Sequence, residues 1–277
     1  MENDVLELYP HPGERHLLRE LYLRQPLEPA EHPRETPFFY SNFISSLDGR
    51  IAIPGPGRDS HQVPPAISND RDWRLFQELA ARADLLITTG RYFRQMVGQE
   101  EQAELPVGSS PEFKDLRDWR TSQGMPAQPD VAVFSASLEI PVESIRHYAN
   151  RTVYLLTGAK ADANKLQRLA EATHAKPIVC GQGNNIDGSM LRGTLADLGY
   201  RRVYAIAGPA VLHTLVAGNA LDRLYHTTAH CLLGGTRFDT FVRGPLLDPA
   251  FRMPLRAMYL DPHAPDGMGQ TLAVYGQ

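Results

Sequence analysis

The segment Val203-Tyr204-Ala205-Ile206-Ala207-Gly208-Pro209-Ala210-Val211-Leu212 decides how this chain is read. The apolar run over 203–207 has the length and the β-branched and aromatic content of a buried strand. Gly208 ends it. Pro209 suits the first turn of a helix, where its missing N–H has no partner to lose. Strand, glycine and helix in immediate succession are the connection of an α/β sheet, whose ligands bind beyond the carboxyl ends of the strands. The same geometry leaves the first helical amides unpaired and partly positive, with a glycine that lets an anion approach the backbone. Two readings stand for this place: an ordinary connection, or an anion cradle.

Upstream, Phe38-Phe39-Tyr40-Ser41-Asn42-Phe43-Ile44 is an aromatic, β-rich run that predicts a strand. A loop with Pro54, Gly55, Pro56 and Gly57 follows. Ser68, Asn69 and Asp70 then offer a helix cap, and Trp73, Phe76, Gln77 and Ala80 continue at helical spacing. Residues 83–89 predict a second strand, stopped by Gly90. Residues 98–130 are expected to form a long loop with a short helix near 113–119. Strands are expected at 131–134, 153–156 and 178–180, helices at 164–173, 190–198 and 210–217. This alternation predicts a mainly parallel sheet with helices on both faces. The runs 224–229, 255–260 and 271–275 lack long helices between them and are expected to pair antiparallel at the sheet edge. Residues 1–35, punctuated by Pro10, Pro12, Pro26, Pro29 and Pro33, are expected to be an N-terminal extension with one or two helical turns over 17–23. Residues 36–277 form the domain proper.

Composition narrows the function. The 277 residues carry a net charge of −4, with 42% hydrophobic and 22% charged residues. That is globular usage, without the basic stripe of a nucleic-acid binder. Cys180 and Cys231 cannot build a disulfide framework or a cysteine-rich metal site. The acidic start Met1-Glu2-Asn3-Asp4 is unlike a signal peptide, and no apolar run approaches the ~20 residues of a membrane span, so a cytoplasmic protein is expected.

Further candidate chemistry sits at the other strand ends. Ile87-Thr88-Thr89-Gly90-Arg91-Tyr92-Phe93-Arg94 ends a strand in hydroxyls and glycine, followed by two arginines that suit a phosphate. The bland reading is a pair of solvated arginines. In Ser45-Ser46-Leu47-Asp48-Gly49-Arg50, Asp-Gly is first a turn signal, while Asp48 is also a carboxylate able to orient a substrate or relay a proton. Gly181-Gln182-Gly183 lacks the third glycine of a dinucleotide fingerprint. His226 and His230 have no carboxylate or cysteine nearby to complete a site, so no metal is expected.

In this order the segments resemble the reductase domain of riboflavin-biosynthesis pyrimidine deaminase/reductases, over roughly residues 37–260. Ser46-Leu47-Asp48-Gly49-Arg50 matches that family's Ser-Leu-Asp-Gly-Lys/Arg signature. Residues 83–94 look like its strand ending in Thr-Ser-Gly-x-Thr, and Ala207-Gly208-Pro209 stands where it has Glu-Gly-Gly. Leu221-Asp222-Arg223-Leu224 followed by Leu232-Leu233-Gly234-Gly235 is similar to its closing pattern. The resemblance implies a dihydrofolate-reductase-like fold, NADPH, a homodimer, and hydride transfer to the ribose carbon of a ribosylamino-pyrimidine phosphate. It places Ile44, Thr88, Thr89, Gly90, Arg91 and Tyr92 along the cofactor, with Gly208, Pro209, Ala210 and Val211 at its pyrophosphate. Gly181, Asn185 and Ile186 fall on the adenosine side, and Ser46, Asp48 and Ala207 at the substrate, with Asp48 as the catalytic candidate. The chain departs from the pattern at Tyr92, Met96, Ala207 and Pro209, and has Ala80 or Ala81 where an arginine is common. Those departures fall mostly on substrate contacts, which leaves a second expectation of NADP(H) binding without turnover. The family's deaminase signature, His-x-Glu with Pro-Cys-x-x-Cys, is absent.

Overall fold

The computed structural model describes residues 4–27, 36–55, 61–97, 104–264 and 266–276. The elements are β1 (Asp4–Tyr9), β2 (Arg15–Leu17), β3 (Phe38–Ser46), β4 (Ile53–Pro54), β5 (His61–Gln62), α1 (Asp70–Arg82), β6 (Leu85–Thr89), α2 (Gly90–Val97) and α3 (Lys114–Ser122). There follow β7 (Asp130–Phe134), α4 (Val142–Arg146), β8 (Val153–Thr157), α5 (Ala163–Thr173), β9 (Lys176–Val179), α6 (Gly188–Asp197), β10 (Arg202–Ala205), α7 (Pro209–Ala217), β11 (Arg223–Ala229), β12 (Leu255–Asp261) and β13 (Gln270–Gly276). Eleven strands form one sheet in the order β2-β1-β12-β13-β11-β3-β10-β6-β7-β8-β9, and β4 pairs with β5 in a separate hairpin. From β11 to β9 every pairing is parallel. From β2 to β11 every pairing is antiparallel. This is the mainly parallel α/β architecture that the strand–helix alternation predicts.

Strand β3 sits at the centre because its side chains find cover on both faces. Phe39 and Phe43 join Leu85, Ile87, Val203 and Ala205 under α6 and α7. Phe38 and Tyr40 join Leu86 and Tyr204 under α1 and α3. Tyr40 and Tyr204 stack with ring centroids 4.9 Å apart and planes 8° apart. Beyond them Val131, Val133 and Leu155 are covered by α2, α4 and α5. Each such apolar side chain contributes about 1.5–3 kcal/mol by leaving water, so the central strands hold most of the driving force.

Helix α1 is placed by its two ends. The Asn69 side chain accepts from the Arg71 and Asp72 amides at 3.1 and 2.9 Å. The fully buried Arg120 donates to the carbonyls of Ala81 (2.9 Å) and Ala83 (2.6 Å) at the other end.

Within residues 4–17, β1 and β2 extend the main sheet through β12. Two expectations change. Residues 18–25 form turns rather than a helix, because Leu18, Leu21 and Tyr22 are pulled into the core and the Glu78 carboxylate takes the amides of Glu20 (2.6 Å) and Tyr22 (3.1 Å). Strand β11 is antiparallel to β13 but parallel to β3, so it belongs to the interior of the sheet. The expected boundary near residue 35, with Pro29 and Pro33, lies outside the described residues, as do Pro56 and Gly57 of the loop and residues 98–103 of the expected long loop.

Candidate active site

The carboxyl ends of β3, β6 and β10 open into one cleft with two lobes. The inner lobe, about 430 Å³, lies between Asn42, Phe43 and Ile44 of β3, the first turns of α1, and Ala207-Gly208-Pro209. The outer lobe, about 400 Å³, lies between the start of α2, residues 134–137 after β7, and residues 208–211. Thr89, Arg91, Gly208, Pro209 and Asp239 line both, which makes the lobes continuous.

The outer lobe suits an elongated anion. Arg91, Arg94 and Arg243 surround it, with the hydroxyls of Ser135 and Ser137 on its wall. Arg94 donates to the Glu139 carbonyl at 2.8 Å, and Arg243 lies 3.2 Å from Asp239. At the N-terminus of α7 no side chain caps Gly208. Gly208 has an ordinary extended backbone (φ −73°), and a Cβ built on it meets nothing within 4 Å. Neither strain nor packing against the protein requires glycine there, and the room it leaves faces the cleft next to the first helical amides. Gly90 differs: a Cβ there would press on Ser135 Oγ at 3.0 Å and Ile140 at 3.2 Å, so it lets α2 start flush against the 135–140 loop.

The inner lobe is lined largely by aromatic and aliphatic side chains. Trp73 and Phe76 of α1 stack with centroids 4.9 Å apart and planes 13° apart. Tyr204 donates its hydroxyl to Asn42 Oδ1 at 2.5 Å. Asp72 of α1 lines the same lobe. Thr227 of β11 donates to its Oδ1 at 2.6 Å. Desolvation pushes its carboxyl up to about 6, against the lowering pull of the Thr227 hydroxyl. The residue keeps part of its surface on the cleft wall while the carboxyl sinks into protein. Opposite, Asp239 is held 3.0 Å from His61 of β5.

Most expected residues meet here. Ile44, Thr88, Thr89, Arg91, Tyr92, Ala207, Gly208 and Pro209 line the inner lobe; Gly90, Ala210 and Val211 line the outer one. The Tyr92 hydroxyl points away, to the Tyr148 hydroxyl at 2.8 Å, and burial with that bond pushes it up. Met96 packs into the core beneath α2.

The remaining expected residues do not line either lobe. Ser46 is buried at the end of β3 and donates to Asp48 Oδ1 at 2.5 Å. Asp48 also accepts from the amides of Leu233 (3.2 Å) and Gly234 (2.7 Å), and these bonds, Ser46 first, hold its carboxyl down to about 2. Such a group is a tether between two loops. A proton relay near neutral pH needs a carboxyl that titrates higher. Gly49, at φ +78°, completes the turn. Gly181, Asn185 and Ile186 fold against the loop after β8, where a Cβ on Gly181 would meet the Asn185 carbonyl at 2.4 Å. His226 and His230 are each satisfied by a hydroxyl, Ser45 and Thr271, at 2.8 Å. Asp72, Thr227, Asp239 and Arg243 were not legible as site residues. Asp72 has the position of a first-turn helix acid; Thr227 meets Asp72, and Asp239 and Arg243 line the cleft, only through tertiary pairing.

The family model described as the RibD C-terminal domain matches residues 37–256. No curated protein matches the chain by sequence. Among solved structures, the chain is similar to a pyrimidine reductase-like protein from Corynebacterium diphtheriae, with 18% identity and a TM-score of 0.61 over 87% of this chain and 91% of that one. It is similar to Acinetobacter baumannii RibD at 15% identity and TM-score 0.59, covering 87% of this chain and 58% of that longer one. It is also similar to the riboflavin biosynthesis reductase Rib7 of Saccharomyces cerevisiae at 12% identity and TM-score 0.54, over 88% and 91%. At these identities the likeness is one of fold. Among the described residues no helix is long and apolar enough to cross a membrane.

Proposed function

The chain belongs to the RibD C-terminal domain family, and from that premise we propose that it is an NADPH-dependent reductase. Its proposed substrate is a ribosylamino-pyrimidine, 5-amino-6-(5-phosphoribosylamino)uracil, or a related small heterocycle. The observation that carries this reading is the open space at Gly208, at the uncapped start of α7, where the arginine-lined lobe meets the aromatic one. A dinucleotide fits that plan. Its pyrophosphate lies on the first amides of α7, and the extra phosphate of NADPH goes to Arg91, Arg94 and Arg243. Its nicotinamide reaches the inner lobe past Thr88, Thr89 and Ala207.

When bound, the cofactor supplies a hydride. The protein's part is positional and electrostatic. Thr88, Thr89 and Ile44, which line the inner lobe, would hold the nicotinamide. Trp73 and Phe76 hold the acceptor ring against it. A homodimer belongs to the same proposal and is checked by light scattering on the purified protein.

A second reading, NADP(H) binding without turnover, is favoured by one observation. Tyr92 and Met96, where the resembling family has polar groups, direct their polar or apolar ends into the protein. The deciding experiment is a calorimetric titration with NADPH and NADH, followed by NADPH oxidation with the ribosylamino-pyrimidine. Micromolar NADPH binding with substrate-dependent oxidation supports the reductase. Binding without oxidation supports the second reading, and no binding of either nucleotide sinks both.

A further inference from the structure

We propose that the hairpin of β1 and β2 holds a divalent transition ion of the zinc type on Glu7, Glu14 and His16, with His11 at the fourth position. These residues precede the 37–256 region that the family model matches, and the site is independent of the reductase reading.

The backbone gathers the four side chains. The Glu7 amide donates to the Glu14 carbonyl at 2.8 Å, and the Gly13 amide to the Glu7 carbonyl at 2.9 Å. Gly13, at φ +95°, turns the chain back on itself. Val5 stands opposite His16 in the strand pair. Alternate residues of paired strands share a face, so Glu7, Glu14 and His16 project together. Their potential ligand atoms all lie within 4.8 Å of one another. His16 Nε2 is 2.5 Å from Glu7 Oε2 and 4.0 Å from Glu14 Oε2. His11 Nδ1 is 3.2 Å from Glu7 Oε1. Positions 7, 11, 14 and 16 match no zinc signature, so the chain alone does not announce the site.

Glu7 separates this cluster from an ordinary surface salt bridge. Its side chain is only 5% exposed, and its ion-pair partners among the described residues are the two imidazoles. The nearby Arg15 pairs with Asp4 instead, at 2.7 Å. The His11 amide donates to Glu7 Oε1 at 2.9 Å, which fixes the carboxylate and aims Oε2 at His16. The His16 ring stands edge-on to Tyr259 of β12, with centroids 5.6 Å apart. Ligands of a tetrahedral zinc ion stand roughly 3.3 Å apart. Glu7 is the fixed member, while His16, Glu14 and His11 are 34, 61 and 67% exposed and free to close to that spacing. Two imidazoles with two carboxylates suit zinc, whereas magnesium and calcium take oxygen ligands.

Binding replaces a proton by the ion. The proton shared between His16 Nε2 and Glu7 Oε2 leaves to solvent, and both atoms give a lone pair to the metal, with no change of oxidation state. The ion then clips the loop between β1 and β2 to the edge of the main sheet.

The test uses the full chain without an affinity tag, treated with a chelator and titrated with Zn²⁺ by calorimetry. Co²⁺ reports the coordination through its visible absorption. Wild type is compared with Glu14→Ala, His16→Ala and His147→Ala, a change at an exposed histidine outside the hairpin. Wild type and His147→Ala should each bind one Zn²⁺ per chain at micromolar or tighter affinity, and give the strong bands of four-coordinate Co²⁺. Affinity should fall at least tenfold in Glu14→Ala and roughly a hundredfold or more in His16→Ala. Glu14 is exposed, so Glu14→Ala should melt like wild type without metal and lose the Zn²⁺-induced rise in Tm. The proposal is overturned if wild type binds Zn²⁺ only at millimolar concentration. It is overturned equally if Glu14→Ala and His16→Ala bind as wild type does, which would place the ion elsewhere, or if Mg²⁺ competes on equal terms.

Discussion

At the scale of single residues, two carboxylates that look alike in the chain behave differently because of what surrounds them. Asp72 is disfavoured as an anion in the fold, so its sign is that of a raised acid. Between its unfolded value near 3.8 and its folded value of about 6, the native state holds more protons than the unfolded one, and stability falls as pH rises. Asp72→Asn should therefore be more stable than wild type at pH 7, by up to about 3 kcal/mol, and near parity at pH 3.5. Urea melts at the two pH values check this, and equal midpoint shifts at both would sink it. Asp48 has the opposite sign: its stabilising bonds are present above 3.8 and are lost as pH falls through about 2. In Asp48→Ala the amides of Leu233 and Gly234 should exchange with solvent at least tenfold faster at neutral pH, while NADPH affinity stays as it was. A large loss of NADPH affinity would return Asp48 to the cofactor site. The Arg243 side chain is 74% exposed, so it can be removed without disturbing the core. Arg243→Ala should raise the NADPH dissociation constant roughly tenfold and leave NADH binding unchanged, since the loss is of one charge-assisted contact to the extra phosphate.

Elements differ in how openly the chain announces them. β3, β10 and α1 were legible because each satisfies local and tertiary demands together. Phe38, Phe39 and Tyr40 favour a strand and are covered on both faces, and Asn69 caps the helix whose apolar side packs on them. The N-terminal hairpin was not legible. Its strands are short and separated by Pro10, Pro12 and Gly13, and what orders the segment that follows lies far away, in the Glu78 carboxylate. Glu78 is buried, accepts two amides of that segment and pairs with Arg74, and desolvation raises its carboxyl above the ordinary range. Glu78→Ala should destabilise the protein by about 3–5 kcal/mol, because it leaves Arg74 short of a partner and strands both amides. Limited proteolysis should then cut first within residues 18–27, and a variant that resists cleavage there would show that β1 and β2 hold on without this tether. Asp239 and Arg243 escaped a reading by residues for a related reason. They lie in a loop with neither helical nor strand period, placed by Ile51 N–H to the Asp239 carbonyl (2.9 Å) and Arg243 N–H to the Pro209 carbonyl (3.2 Å).

For the molecule as a whole, the cleft and the fold are coupled through the same strand ends. A dinucleotide laid across it touches β3, β6, β10, α2 and α7 at once, so its binding free energy is also folding free energy. At a hundredfold excess over its dissociation constant it adds about 2.7 kcal/mol, on the order of 5 °C in Tm for a chain of this size. Gly208 separates the two contributions. Its φ of −73° is open to any residue and the space beside it contains no protein atom within 4 Å, so a side chain there costs the unliganded fold little. Gly208→Val should leave the Tm of the unliganded protein within a degree or two, the loss being at most about 1 kcal/mol of helix capping. On the proposed reading the branched side chain would take the space where the pyrophosphate would meet the first amides of α7, and the NADPH-induced rise in Tm should disappear. A thermal-shift series of wild type and variant with NADPH, NADH and neither reads both effects in one experiment. A Gly208→Val protein that unfolds several degrees lower without ligand would mean the glycine serves the fold, and one that keeps the full NADPH shift would place the pyrophosphate elsewhere in the cleft.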